Sequence, residues 1–163
     1  MATATRMFLA DPTLGRLVTW LRLLGYDTVY ARSAKEPELI RRARADGRIL
    51  LTRNTRLARR RVLPPHLLVT SDDFRAQLRQ VLEACISGAP IRLLARCVRC
   101  NAPLDTIDRA TACRHVPDYV CQTQTSFARC PQCARIYWPA THVERMRAEL
   151  QRLGVWDFAK KVR

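Results

Sequence analysis

Apolar and polar positions change period repeatedly before residue 90, and each change marks an element. MFLAD (7–11) is a short apolar run closing on Asp11, as a buried strand does. PTLGRLVTWLRLLG then places Leu14, Leu17, Val18, Leu21 and Leu24 on one helical stripe, with Pro12 in its first turn and Gly25 at its end. YDTVYA (26–31) is a second strand, and PELIRRARADG (37–47) a short helix with another glycine stop. RILLT (48–52) is a third strand, and TRLARRR a basic helical turn for which Asn54 is an N-cap. HLLVTS (66–71) is a fourth strand, followed by an amphipathic helix, DDFRAQLRQVLEACISG (72–88). Strand and helix alternating in this way predict an α/β domain over residues 6–90, a parallel sheet with helices on both faces.

Sheets of that kind bind ligands outside the carboxyl ends of their strands. Asp11 stands there after the first strand, Asn54 beyond the third, and Asp72 and Asp73 after the fourth. Glu38, early in the second helix, can reach the same edge. Converging carboxylates suit Mg²⁺ or Mn²⁺, hard ions that take oxygen ligands and bridge to phosphate. One of Asp72 and Asp73 has a competing role as the cap of the helix it precedes.

Beyond residue 90 the cysteines carry the pattern. CVRC (97–100) and CPQC (130–133) are two C-x₂-C knuckles, 29 residues apart. Four thiolates close a tetrahedral Zn²⁺ site with no open position, which predicts a structural zinc ribbon over residues 91–147. Cys113, His115 and Cys121 lack the paired spacing and read as ordinary side chains, while Cys85 reads as core. In a chain without a secretory h-region or a bilayer-length apolar run, cysteines are metal ligands or free thiols before they are disulfides. The expected compartment is the cytoplasm, and no membrane contact is expected. Residues 148–163 read as a basic C-terminal helix or tail.

Charge is the most distinctive property of the chain. Lys and Arg number 29 against 14 acids, a formal net charge of +15, and only Lys35, Lys160 and Lys161 are lysines. Arginine forks match phosphate oxygens, so the expected partner is a nucleic acid. The excess is spread evenly, about +8 before residue 90 and about +7 after it. Candidate contacts are Arg16, Arg53, Arg56, Arg59, Arg60 and Arg61 in the first domain. In the ribbon, Arg135 and His142 flank Tyr137 and Trp138, which can stack bases or pack the ribbon against the first domain.

FLADPTLGRLVTWLRLLGYDTVYA, GRILLTRN, SDD, the two knuckles and RIYWPATHVERM together resemble the Mut-seven C-terminal RNase domain family, in order, from about residue 7 to about 147. The resemblance implies a PIN-like three-layer fold with a C-terminal zinc ribbon. It also implies a metal-dependent ribonuclease that holds Mg²⁺ or Mn²⁺ on strand-end acids. Asp11 matches the first acid, the Asp72–Asp73 pair a later one, and Glu38 the helix glutamate. The family pattern LLTRD reads LLTRN here, so Asn54 occupies an acid's position without its charge. An amide oxygen ligates a dication weakly and cannot act as a base. Two classes therefore stay open: a metal-dependent ribonuclease, and a non-catalytic RNA-binding or ribosome-associated module with a degenerate site. RNA is the expected partner of both, with tRNA and the ribosome as candidates.

Overall fold

A computed structural model describes residues 6–86, 91–139 and 141–154, without the side chains of Thr141 and His142. The expected basic tail beyond residue 154 lies outside the described residues, as does the side chain of His142.

Four short strands, β1 (Met7–Ala10), β2 (Asp27–Tyr30), β3 (Ile49–Thr52) and β4 (His66–Leu68), form a wholly parallel sheet in the order β2-β1-β3-β4. Alternation along each strand splits the core in two. Phe8, Ala10 and Leu51 face one side, where they meet α1 (Gly15–Leu23) and α4 (Phe74–Cys85). Leu9 and Leu50 face the other, where Leu39 and Ala43 of α2 (Glu36–Ala45) and Leu57 of α3 (Thr55–Ala58) cover them. Apolar side chains on both faces of the central strands are what a buried parallel sheet requires. The expected three-layer α/β architecture is the one observed.

The second unit is an antiparallel sheet of β5 (Asp105–Ile107), β6 (Phe127–Arg129) and β7 (Ile136–Tyr137). Two short helices, α5 (Arg109–Cys113) and α6 (Asp118–Thr123), are inserted between β5 and β6. Here the expectation from sequence needs a correction. Cys113 and Cys121 are not ordinary thiols; they form a disulfide that staples α5 to α6, with Cα atoms 5.2 Å apart. Helical packing brings the two together, and eight residues of separation give no knuckle signature by which to anticipate it. Cys85 is half-buried against the first core, and burial pushes its thiol pKa up.

The two units interlock. Arg22, buried in α1, donates from Nε to the Thr28 carbonyl (2.9 Å) and from Nη1 to the carbonyls of Val98 (2.8 Å) and Arg99 (3.0 Å). Asn101 accepts from the Thr28 amide (3.0 Å) and donates to Asp27 (2.8 Å), so it pairs the free edge of β2. Gly25, with φ of +91°, lets the connecting chain pass over the end of α1. A Cβ there would lie 2.6 Å from the Arg92 carbonyl oxygen. The last helix, α7 (Thr141–Arg152), returns to the first unit, where Leu150 is fully buried in the α1–α4 core and Glu149 pairs with Arg75. A boundary at residue 147 thus falls inside a helix that the first core partly owns. No helix among the described residues is long and apolar enough to cross a membrane.

Candidate functional site: the strand-end pocket and the cysteine cluster

The carboxyl ends of β1 and β3 open into a cavity of about 570 Å³ whose wall includes Asp11, Glu36, Arg53 and Asn54. Asp11 is buried and accepts four hydrogen bonds. Its Oδ1 takes the Thr13 amide (2.8 Å) and hydroxyl (2.6 Å), and its Oδ2 takes the Thr52 hydroxyl (2.7 Å) and the Arg53 amide (2.9 Å). The residue caps the 3₁₀ turn at Pro12–Leu14 and ties the end of β1 to the end of β3. Proline at the first turn position does not displace the cap, because the two act on different backbone groups.

Asn54 caps α3 as its position suggests, its Oδ1 accepting from the Leu57 amide (3.1 Å). Its Nδ2 donates to Glu36 Oε1 (2.6 Å), and Arg60 donates to Glu36 Oε2 (2.8 Å). Glu36 is the helix acid that lines the pocket. Glu38 lies outside the pocket lining, half-exposed, and pairs with Arg42 one turn on (3.7 Å). A sequence signal does exist for Glu36: it stands three residues before Leu39, on the buried stripe of α2, while Glu38 is off it. Asp72 is almost fully exposed and pairs with Arg53. Asp73 caps α4, its Oδ2 accepting from the Ala76 amide (3.1 Å).

This donor set does not fit a resident Mg²⁺ or Mn²⁺. Both oxygens of Asp11 have two hydrogen bonds each, both oxygens of Glu36 are engaged, and Asn54 turns a donor toward Glu36. Among the described residues, no group of three carboxylates or other hard ligands converges within reach of one ion. Glu36 and Asp72 are each paired with an arginine, and Asp11 is saturated by neutral donors. Asp11 therefore has a structural role that an amide cannot fill, since Asn presents an NH₂ to donors. Asp11→Asn is expected to lower stability by about 2–4 kcal/mol, read as a shift in urea midpoint. An unchanged midpoint would show that the four bonds are dispensable.

The knuckles have the geometry of a four-sulfur metal site. Cys97, Cys100, Cys130 and Cys133 have sulfur atoms all within 4.8 Å of one another. Cys97 and Cys133 lie 3.7 Å apart, close to the ~3.8 Å edge of a tetrahedron with ~2.3 Å Zn–S bonds. The two turns are built alike. The amides of Asn101 and Ala134 donate to the carbonyls of Cys97 and Cys130 (2.9 Å each), and both residues have positive φ, 67° and 60°. Burial opposes ionisation of Cys97, but the Tyr137 hydroxyl (3.1 Å) and amides of the first knuckle outweigh it and pull the thiol down to about 6. Cys100 moves the other way, to about 12, chiefly through its hydrogen bond with Cys133. A thiolate at Cys97 thus opposes ionisation of its neighbour Cys100, as closely spaced thiols do. These four residues could hold a structural Zn²⁺. Tyr137 is thus bound to the knuckle, and the half-buried Trp138 packs on the Ala112–Val120–Phe127 cluster; Arg135 stays exposed.

Compared with known proteins, residues 6–150 match the family model described as Mut7-C RNAse domain. No curated protein and no solved structure matches significantly.

Proposed function

As the chain belongs to the Mut7-C RNAse domain family, a group with a nuclease or RNA-related role, we propose that it is an RNA-binding protein built on a ribonuclease scaffold. The strand-end edge holds the RNA backbone, and Asn54 leaves the pocket short of the acids that a divalent ion needs. The observation carrying this reading is the Asn54 amide, which donates to Glu36 where a third acid would stand. The net charge of +15 supplies the affinity.

A second reading, hydrolysis of RNA with Mg²⁺ or Mn²⁺, draws support from Asp11. Its buried carboxylate faces a cavity and has only neutral partners, so its charge has no cation beside it. That reading requires the Thr13 hydroxyl to turn away from Asp11 and the Asn54 amide to leave Glu36.

Incubating the protein with labelled single-stranded RNA, with Mn²⁺ and with EDTA, separates the two. Binding in both conditions without scission is expected. Mn²⁺-dependent, multiple-turnover cutting that follows the protein through purification would replace the first reading with the second.

The basic run after β3 is the first surface to test. Two of its arginines are already paired, Arg53 with Asp72 and Arg60 with Glu36. Arg56, Arg59 and Arg61 are exposed and have no carboxylate partner among the described residues. Replacing these three with Ala should weaken RNA binding and flatten the log–log salt slope by about 2, through lost counterion release. An unchanged slope would place this run off the RNA path.

A further inference from the structure

A second depression, of about 630 Å³, lies where the first unit meets the first knuckle, lined by residues of α1, the end of β2 and the knuckle turn. Four arginines line it, Arg16, Arg22, Arg32 and Arg99, and no carboxylate does. Arg22 is its fixed floor, spent on backbone carbonyls of Thr28, Val98 and Arg99. The other three are exposed, and none has an ion-pair partner among the described residues. A zinc centre of four thiolates carries a formal −2 nearby, which leaves at least two positive charges unanswered. Guanidinium groups lining one depression repel one another, and an anion bound among them relieves that repulsion.

Two of the arginines are also held in place by aromatic rings. Arg16 lies over the Phe74 ring (4.2 Å) and Arg32 over Tyr30 (5.5 Å). A stacked guanidinium keeps its in-plane N–H groups free for a phosphate fork. Gly15 leaves room for the Tyr30 phenol, since a Cβ there would stand a tight 3.0 Å from its oxygen. That phenol donates to the Pro12 carbonyl (2.8 Å), and Pro12 lines the strand-end cavity. The two depressions are therefore adjacent, joined through Tyr30 and Pro12.

From this arrangement we propose that the junction between α1 and the first zinc knuckle is a phosphodiester-binding subsite, in which Arg16, Arg32 and Arg99 grip the RNA strand as it leaves the strand-end pocket. The proposal rests on the RNA reading above and adds a second stretch of path to it. It also ties the ribbon to RNA binding, because the knuckle turn delivers Arg99 and Arg22 locks that turn in place.

The test is fluorescence anisotropy with end-labelled oligo(U) of about 20 nucleotides, longer than the site of a single small domain. The full chain is compared with Arg32→Ala/Arg99→Ala and with Arg32→Lys/Arg99→Lys, across a salt series. Both side chains are exposed, and the Arg99 carbonyl that Arg22 uses is unchanged, so zinc content and melting should stay at wild-type values. The alanine pair should bind about tenfold more weakly, with a salt slope smaller by about 1.4, and the lysine pair should recover the slope. A slope equal to wild type in the alanine pair overturns the subsite and leaves the RNA reading intact. Wild-type protein that binds no oligo(U), tRNA or ribosomal RNA at low salt overturns both.

Discussion

The Cys130→Ser/Cys133→Ser protein should lose its zinc, and with it the order of roughly residues 95–140, while the wild-type chain purified without added metal carries one equivalent. This is the largest effect expected of any small change. The knuckle end has almost no core of its own: its buried members are Cys97, Ala102 and Cys130, two of them candidate ligands, and the small Ala112–Val120–Phe127 cluster beside it leans on Ile136 and Trp138 of the same ribbon. Structural zinc in such a setting supplies apparent binding energy of about 10–16 kcal/mol at neutral pH, and that energy is folding energy. The loss should also reach the first unit. Without the knuckle, Arg22 keeps its buried position but loses the Val98 and Arg99 carbonyls, and the Thr28 amide loses Asn101. Each orphaned group costs about 1–3 kcal/mol, so the edge of β2 should open as well. Hydrogen exchange at Thr28 should rise along with exchange in the ribbon. Elemental analysis showing less than half an equivalent in the wild type, or full zinc in the double variant, would sink the assignment.

Local chemistry makes much of this fold readable from the chain alone. The strands at Met7, Asp27, Ile49 and His66 are short runs bounded by glycine, proline or a capping residue, so their starts follow from neighbours in sequence, while the fourth ends at Leu68, short of the expected residue 71. Asn54 as a cap and the convergence of the four cysteines also depend only on spacing. What escapes depends on contacts that sequence does not index. Glu38 and Glu36 are close in sequence and equally acidic, yet only Glu36 shares the stripe with Leu39 and lines the pocket. The Cys113–Cys121 bridge needs α5 and α6 to fold against each other first. Leu150 reaches the first core only because the chain returns there after the ribbon. The arginine junction pairs residues 22 and 98, which no local pattern connects.

Asn54→Asp should turn the strand-end pocket into a metal-responsive site, and its stability should report this whether or not RNA is cut. In the natural chain the Asn54 NH₂ sits 2.6 Å from Glu36 Oε1. An aspartate keeps the α3 cap, since both residue types accept from the helix amides equally well. It replaces that donor with an oxygen, however, so two carboxylates meet. Like charges at about 4 Å repel by up to ~4 kcal/mol in a half-screened site, and relaxation absorbs part of this. A loss of about 2 kcal/mol, or roughly 4–8 °C in Tm for a chain of this size, is expected without metal. Arg60, already on Glu36, limits the loss but cannot reverse it. Millimolar Mn²⁺ should then restore the variant and leave the natural protein unmoved, because a dication bridges the new pair and finds no such pair in the original. Asn54→Ala is the control: it should lose about 1 kcal/mol with the cap and show no response to Mn²⁺. Scission of RNA by the aspartate variant in Mn²⁺, absent with EDTA, would follow from the same bridge. Should the variant be as stable as the parent and indifferent to Mn²⁺, residue 54 does not face Glu36 in solution. The pocket would then not be an acid site neutralised by an amide.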